Sequence, residues 1–228
     1  MVNGTAVREL GTRADPVTDE IKVDGRRLPK PGRRHILLYK PRGYVSTRVD
    51  PEKRPTVIDL LERAKIRGYF YPVGRLDYDS DGLIILTNDG SFAERLMHPR
   101  YELERAYEAR VRGIPDEKSL DRIRRGIPIE GERSQPAVVT LQHVLEGKGI
   151  PQGVLEVVLK EGRNRQVRRM FEAIGHPVLR LTRVRIGSVR IGAMKPGDLR
   201  ELTPREIESL TKPKARSRKP QGLDAERS

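Results

Sequence analysis

The chain has 228 residues with no cysteine, which excludes disulfides and thiolate metal sites, and its histidines (His35, His98, His143, His176) are too scattered for a local pair to hold zinc. Lysine and arginine outnumber aspartate and glutamate by 46 to 32, a formal net charge of +14; an excess of one sign on that scale points to a polyanionic partner, nucleic acid ahead of an anionic membrane surface. There is no apolar run long enough to span a bilayer and no signal-peptide pattern at the N-terminus, so a cytoplasmic protein without a membrane association is expected.

Residues 1–29 read as short strands turning at Asn3-Gly4 and Asp24-Gly25, too small a segment to bury a core of its own. A linker at Pro29-Lys30-Pro31-Gly32 leads to Ile36-Leu37-Leu38-Tyr39, an apolar run expected to be a buried strand that ends at Lys40-Pro41-Arg42-Gly43. Val57, Leu60 and Leu61 have helical spacing within 55–64, and 69–73 and 83–86 read as strands. After Asn88-Asp89-Gly90, Ser91 is placed to cap a short helix through Phe92, Leu96 and Met97, which His98-Pro99 stops. From 104 to 112 the chain alternates, putting Arg105, Tyr107, Ala109 and Val111 on one face of a strand. Asp116 can cap a helix carrying Leu120 and Ile123 and ending at Gly126, and 154–160 is another strand. Val167, Met170, Phe171 and Ile174 mark the clearest amphipathic helix, closed by Gly175 and Pro177. Residues 180–191 give one or two further strands. The stretch 211–228 is a Lys-, Arg-, Pro- and Ser-rich tail expected to be disordered. Helices and strands mix without a βαβ rhythm. The fold class is therefore α+β, a mixed, largely antiparallel central sheet with flanking helices, divided as 1–29, 30–210 and a tail from 211.

One stretch, GRLDYDSDGLIILTNDG at 74–90, begins like a calcium loop, with Asp77, Asp79 and Asp81 at alternate positions before Gly82. Calcium wants six to eight oxygens, including a bidentate glutamate at the twelfth position. That position is Asn88, the ninth is Ile85 within an apolar run, and the flanks are not helical. Asp79 and Asp81 read instead as part of a solvated turn. Asp77 lies between Leu76 and Tyr78, where a carboxylate is costly unless a cation or hydrogen bonds compensate. Candidate cations are concentrated at 163–190, with eight arginines against one acidic residue, Glu172; Arg165, Arg168 and Arg169 form a stripe at i, i+3 and i+4. Tyr107, the only aromatic on its strand, is a platform on which a base could stack, or simply a core tyrosine.

The same residues resemble the signature segment of pseudouridine synthases of the RsuA/RluB type: a Gly-Arg-Leu-Asp core, then Gly-Leu and Thr-Asn-Asp-Gly. YKPRGYVST at 39–47, ERAYEARV at 104–111 and EGRNRQVRRMFEAIGHPVLRLTRVRIG at 161–187 are similar to the family's other motifs, so the resemblance covers roughly residues 30–205. It implies that Asp77 is the catalytic aspartate, that Tyr107 stacks on the target base, that Arg168 pairs with Asp77 and that Leu181 lines the pocket. Arg75 is read as a further substrate contact. Lys40, Arg42, Arg163, Arg165, Arg169, Arg183 and Arg185 are read as the cations that grip RNA, and no metal ligand is assigned.

The implied reaction isomerises a uridine of ribosomal RNA, 23S in preference to 16S, without a cofactor; the chain offers no GxGxxG or Walker loop. The target must leave its stack to be reached. The resemblance also implies an S-four-type RNA-binding domain, of which residues 2–28 resemble only the closing strands, so weaker rRNA binding than in a relative carrying that whole domain is expected. A monomer is expected. Two other readings stand beside this one: a catalytically silent rRNA-binding or ribosome-assembly factor, and a nucleotide hydrolase, which would lack a second well-placed carboxylate.

Overall fold

Residues 1–9, 11–14, 19–28, 32–147 and 149–212 are described in the computed structural model. Positions 29–31 of the linker expected at 29–32, and the tail beyond Lys212, lie outside them. Near the N-terminus Lys22–Val23 (β1) and Arg26–Arg27 (β2) pair as a hairpin turned at Asp24 (φ 50°) and Gly25, and Val2 bridges to Ile21.

The central sheet starts with the apolar runs. His35–Lys40 (β3) is buried at every position, which is why its sequence shows no alternation: it is covered on both faces. Thr56 caps the helix Val57–Arg63 (α1) by a reciprocal capping box with Asp59. Tyr71–Val73 (β4) then leads to Asp81–Thr87 (β5), again buried throughout. The next helix, Gly90–Met97 (α2), is capped by Asp89, whose Oδ1 accepts from the Phe92 amide at 3.1 Å; Ser91, the cap expected from sequence, instead donates to Asp89 at 2.7 Å. Asp89 holds the position because its carboxylate sits three residues before that orphan amide.

Arg105–Arg112 (β6) alternates as its sequence does, and Asp116 caps Glu117–Arg124 (α3). Pro128–Ile129 (β7) and Glu132–Arg133 (β8) make a second small hairpin, followed by the long strands Val138–Leu145 (β9) and Gln152–Leu159 (β10). Gln166–Glu172 (α4), Val178–Ile186 (β11), Val189–Arg190 (β12), Leu199–Glu201 (β13) and Pro204–Thr211 (α5) complete the chain. Thr211 thus closes a helix rather than beginning a tail. A capping box from Thr203 to Glu206 and a proline at its first turn start that helix.

The sheet runs β13-β3-β5-β11-β6-β10-β9, with β4 on β5 and β12 on β11. Its pairings are antiparallel except at the centre, where β5 and β11 meet in parallel through Asp81↔Thr182 and Gly82↔Arg183. Gly82 permits that meeting. Its φ is +110°, and a Cβ there would lie 2.4 Å from both the amide nitrogen and the carbonyl oxygen of Arg183.

One face of the sheet buries Ile36, Leu38, Ile84 and Leu86 against Val57, Leu60 and Leu61 of α1. The same cluster continues through Ala109, Val111, Leu155 and Val157 to Val167, Met170 and Phe171 of α4. The other face packs Leu37, Leu83 and Ile85 on Phe92 and Leu96 of α2 and Leu210 of α5. Each such fully buried aliphatic side chain contributes roughly 1.5–3 kcal/mol.

Candidate active site

The segment that enters β5, residues 74–80, is irregular and heavily held. Gly74 turns it with φ 77°. Ser46 Oγ donates to the Leu76 carbonyl at 2.9 Å and accepts from the Leu76 amide at 3.1 Å. The Gly43 amide donates to the Tyr78 carbonyl at 2.8 Å, and Arg183 Nη1 to the Arg75 carbonyl at 3.3 Å. Lys40 Nζ donates to the Ser80 carbonyl at 2.9 Å. The motif at 39–47 therefore supplies groups that fix the backbone around Asp77.

Lys40 is fully buried, which corrects its assignment to the RNA-binding surface; an interior ammonium held by the Pro41 and Ser80 carbonyls has no route to a phosphate. Burial lowers its pKa to about 8, against the opposing charges of Asp81 and Asp77.

The three aspartates are answered by arginines, not by an open ring of oxygens. Arg165 Nη1 lies 3.6 Å from Asp77 Oδ2 and 3.2 Å from Asp79 Oδ1. Arg168 reaches Asp79 Oδ2 at 3.2 Å and also donates to the Asp79 carbonyl, Ser80 Oγ and the Val178 carbonyl. The pairing of Arg168 with Asp77 expected from the resemblance is thus not found; Arg165 is the ion-pair partner of Asp77. The reason is local. Arg165 caps α4 with a left-handed backbone (φ 49°), which takes it off the helical stripe and turns it toward the loop.

Burial raises the pKa of Asp79, but hydrogen bonds from Arg165 and the charge of Arg168 outweigh it and hold the group below the usual carboxylate range. Asp81 is not part of a solvated turn. It is buried, paired with Arg180 at 2.8 Å and hydrogen-bonded by the Thr182 hydroxyl.

Asp77 opens onto a cavity of about 480 Å³. The expected residues Arg75, Tyr107, Arg163, Arg165, Leu181 and Arg183 line it as well. Tyr107 is only 9 % exposed, on the sheet floor, and Leu181 lies beside it on β11. Arg75 is exposed at the rim.

Other expected RNA contacts behave differently. Arg42 is exposed, outside the cavity lining. Arg169 pairs with Glu130, Arg185 bonds the Gly187 carbonyl at 2.8 Å with Glu104 at 3.5 Å, and Arg163 pairs with Glu161 at 3.3 Å and Glu132 at 3.4 Å. Arg183 is 3 % exposed, so the strand face turns it inward to the cleft floor and off the outer surface. Sequence reading missed Arg105 as a site residue. Its place two residues before Tyr107, on the same strand face, was the available signal.

Residues 34–173 match the family model described as RNA pseudouridylate synthase. Ribosomal large subunit pseudouridine synthase B of Bacillus subtilis is 43% identical over 209 residues, 92% of this chain and 84% of that protein. The protein of that name in Pseudomonas aeruginosa is 42% identical over 217 residues, 92% of this chain and 54% of its own length. Among solved structures, one described as the crystal structure of pseudouridylate synthase matches with a TM-score of 0.69 and 28% identity, over 92% of this chain and 87% of that one. The chain belongs to the RNA pseudouridylate synthase family.

Proposed function

We propose that this chain converts a uridine of large-subunit ribosomal RNA to pseudouridine, with Asp77 acting on the nucleotide and no cofactor. The observation that carries this is the convergence of Asp77, Tyr107, Leu181 and Arg165 on one cavity of about 480 Å³. The rRNA substrate is supported by the relatives named for the large subunit and by the net charge of +14. The reaction is an isomerisation. The N1–C1′ bond breaks, the uracil turns, C5 bonds to C1′, the C5 proton leaves and N1 takes a proton, so no electron acceptor or phosphate donor is required.

Each feature of the site has a part in this. Asp77 is needed as the carboxylate, whether as nucleophile or base, and Arg165 lies 3.6 Å from it. Tyr107 supplies a stacking surface for an extruded base. The anchored loop fixes the carboxylate before substrate arrives. We further propose a monomer, which sedimentation of the free chain tests.

The deciding experiment is tritium release from rRNA labelled at uridine C5, on naked rRNA and on assembling subunits. Release is expected from the native chain, and Asp77→Asn is expected to reduce it by roughly 10²–10⁴-fold. No release by the native chain on either substrate would favour a silent rRNA-binding factor.

A further inference from the structure

The cleft holds two arginines that its carboxylates leave alone. Arg183 Nε donates to the Leu83 carbonyl at 2.6 Å and Nη1 to the Arg75 carbonyl, while its buried Nη2 has no partner. Arg105 reaches only the Leu103 and Leu96 carbonyls, at 3.2 and 3.3 Å. Among the described residues, neither has an ion-pair partner. The acidic groups lining the cavity are committed elsewhere: Asp77 to Arg165, Glu161 to Arg163 and Glu102 to Lys160.

Sheet register explains why the two arginines share the floor. Arg183 on β11 is paired with Tyr107 on β6, and Arg105 precedes Tyr107 by two residues on the same strand face. The guanidiniums are near enough to oppose each other: burial, then the charge of Arg183, lowers the pKa of Arg105. A buried guanidinium beside a half-buried one, with no counter-ion among the described residues, is unfavourable unless an anion joins them. Their planar donor forks suit the oxygens of a phosphate.

We propose that Arg105 and Arg183 form a phosphate-binding subsite in the cleft floor, which takes the phosphodiester of the nucleotide whose base lies on Tyr107. This rests on the function proposed above and adds a second point of attachment. Tyr107 would hold the base and the arginine pair its phosphate, with Asp77 facing the same cavity.

The test is thermal denaturation of the full chain with uridine, 5′-UMP, 3′-UMP and inorganic phosphate at matched concentrations, because a ligand of the folded state raises the midpoint by an amount that grows with the logarithm of its concentration over Kd. At least one UMP is expected to bind roughly ten-fold or more tightly than uridine, as fits a charged hydrogen bond. Arg105→Gln is expected to bring that UMP to the level of uridine and leave the response to uridine unchanged. Arg183→Gln removes an interior residue and can unfold the chain, so Arg105→Gln decides.

Three results would overturn the subsite: no preference for either UMP, a preference that survives Arg105→Gln, or inorganic phosphate alone matching UMP, which would mark a site for free anions. Asp77→Asn is expected to keep the preference. A chain that releases no tritium from any rRNA yet prefers UMP in an Arg105-dependent way would leave the subsite standing and remove the proposed reaction.

Discussion

The two walls of the cleft treat positive charge in opposite ways. On the α4 side, Arg165 and Arg168 are answered by Asp77 and Asp79, and the wall is internally neutralised. On the β6–β11 side, Arg105 and Arg183 meet only carbonyls among the described residues, and both line the cavity. An arginine's sequence neighbours do not tell which kind it is. The first pair positions a carboxylate; the second is left to attract one or its phosphate equivalent.

The strongest way to break the arrangement is at the contact that joins the walls. Gly82→Val would push a side chain into the Arg183 backbone and force a residue with branched Cβ to φ +110°. We expect a loss of about 3 kcal/mol or more in urea denaturation. A near-native midpoint would mean that β5 and β11 separate easily.

The next effect sharpens the neutralised wall. Arg168 is nearly enclosed, with 11% of its side chain exposed, and holds two carbonyls and Ser80 Oγ. Arg168→Gln is expected to cost about 2 kcal/mol of stability, since hydrogen bonds to a charged group are lost. Arg165 is 43% exposed, and Arg165→Gln is expected to cost under about 1 kcal/mol while lowering the rate of tritium release. Similar stability losses in the two variants would remove the distinction between anchor and partner.

A further effect, read against pH, concerns Lys40 beneath the loop. Its pKa of about 8 lies below the 10.5 of a free lysine, so between those values the unfolded chain binds the proton more tightly than the folded one. Its contribution to stability therefore rises as pH increases through that window. The unfolding free energy of the native chain, relative to Lys40→Met, is expected to increase from pH 8 to pH 10. A flat difference over that range would show that the ammonium is solvated.

Much of this could be read in advance where periodicity carries the information. The unbroken apolar runs of β3 and β5 announced strands covered on both sides, and the alternation of β6 put Arg105 and Tyr107 on one face. The edge strand β9 escaped notice because only Val139 is buried along it. The ion-pair partner of Asp77 was out of reach for another reason: it depends on one left-handed, non-glycine residue, Arg165, and nothing in the helical spacing signals that conformation. The inward turn of Lys40 was likewise invisible, since a lysine ending a strand ordinarily reads as solvated.

The parallel seam between β5 and β11 also has a consequence in time. It joins Asp81 to Thr182, 101 positions apart, whereas β6, β10 and β9 are successive antiparallel neighbours, and β3 pairs with β5. Closing so long a loop is slower than forming nearby hairpins. Pulse-labelled amides of β10 and β9 are accordingly expected to gain protection before those at 181–183. Until the seam closes, Asp77 and Tyr107 belong to separate pieces of sheet, and a newly made chain can be largely folded without yet having a place for its substrate.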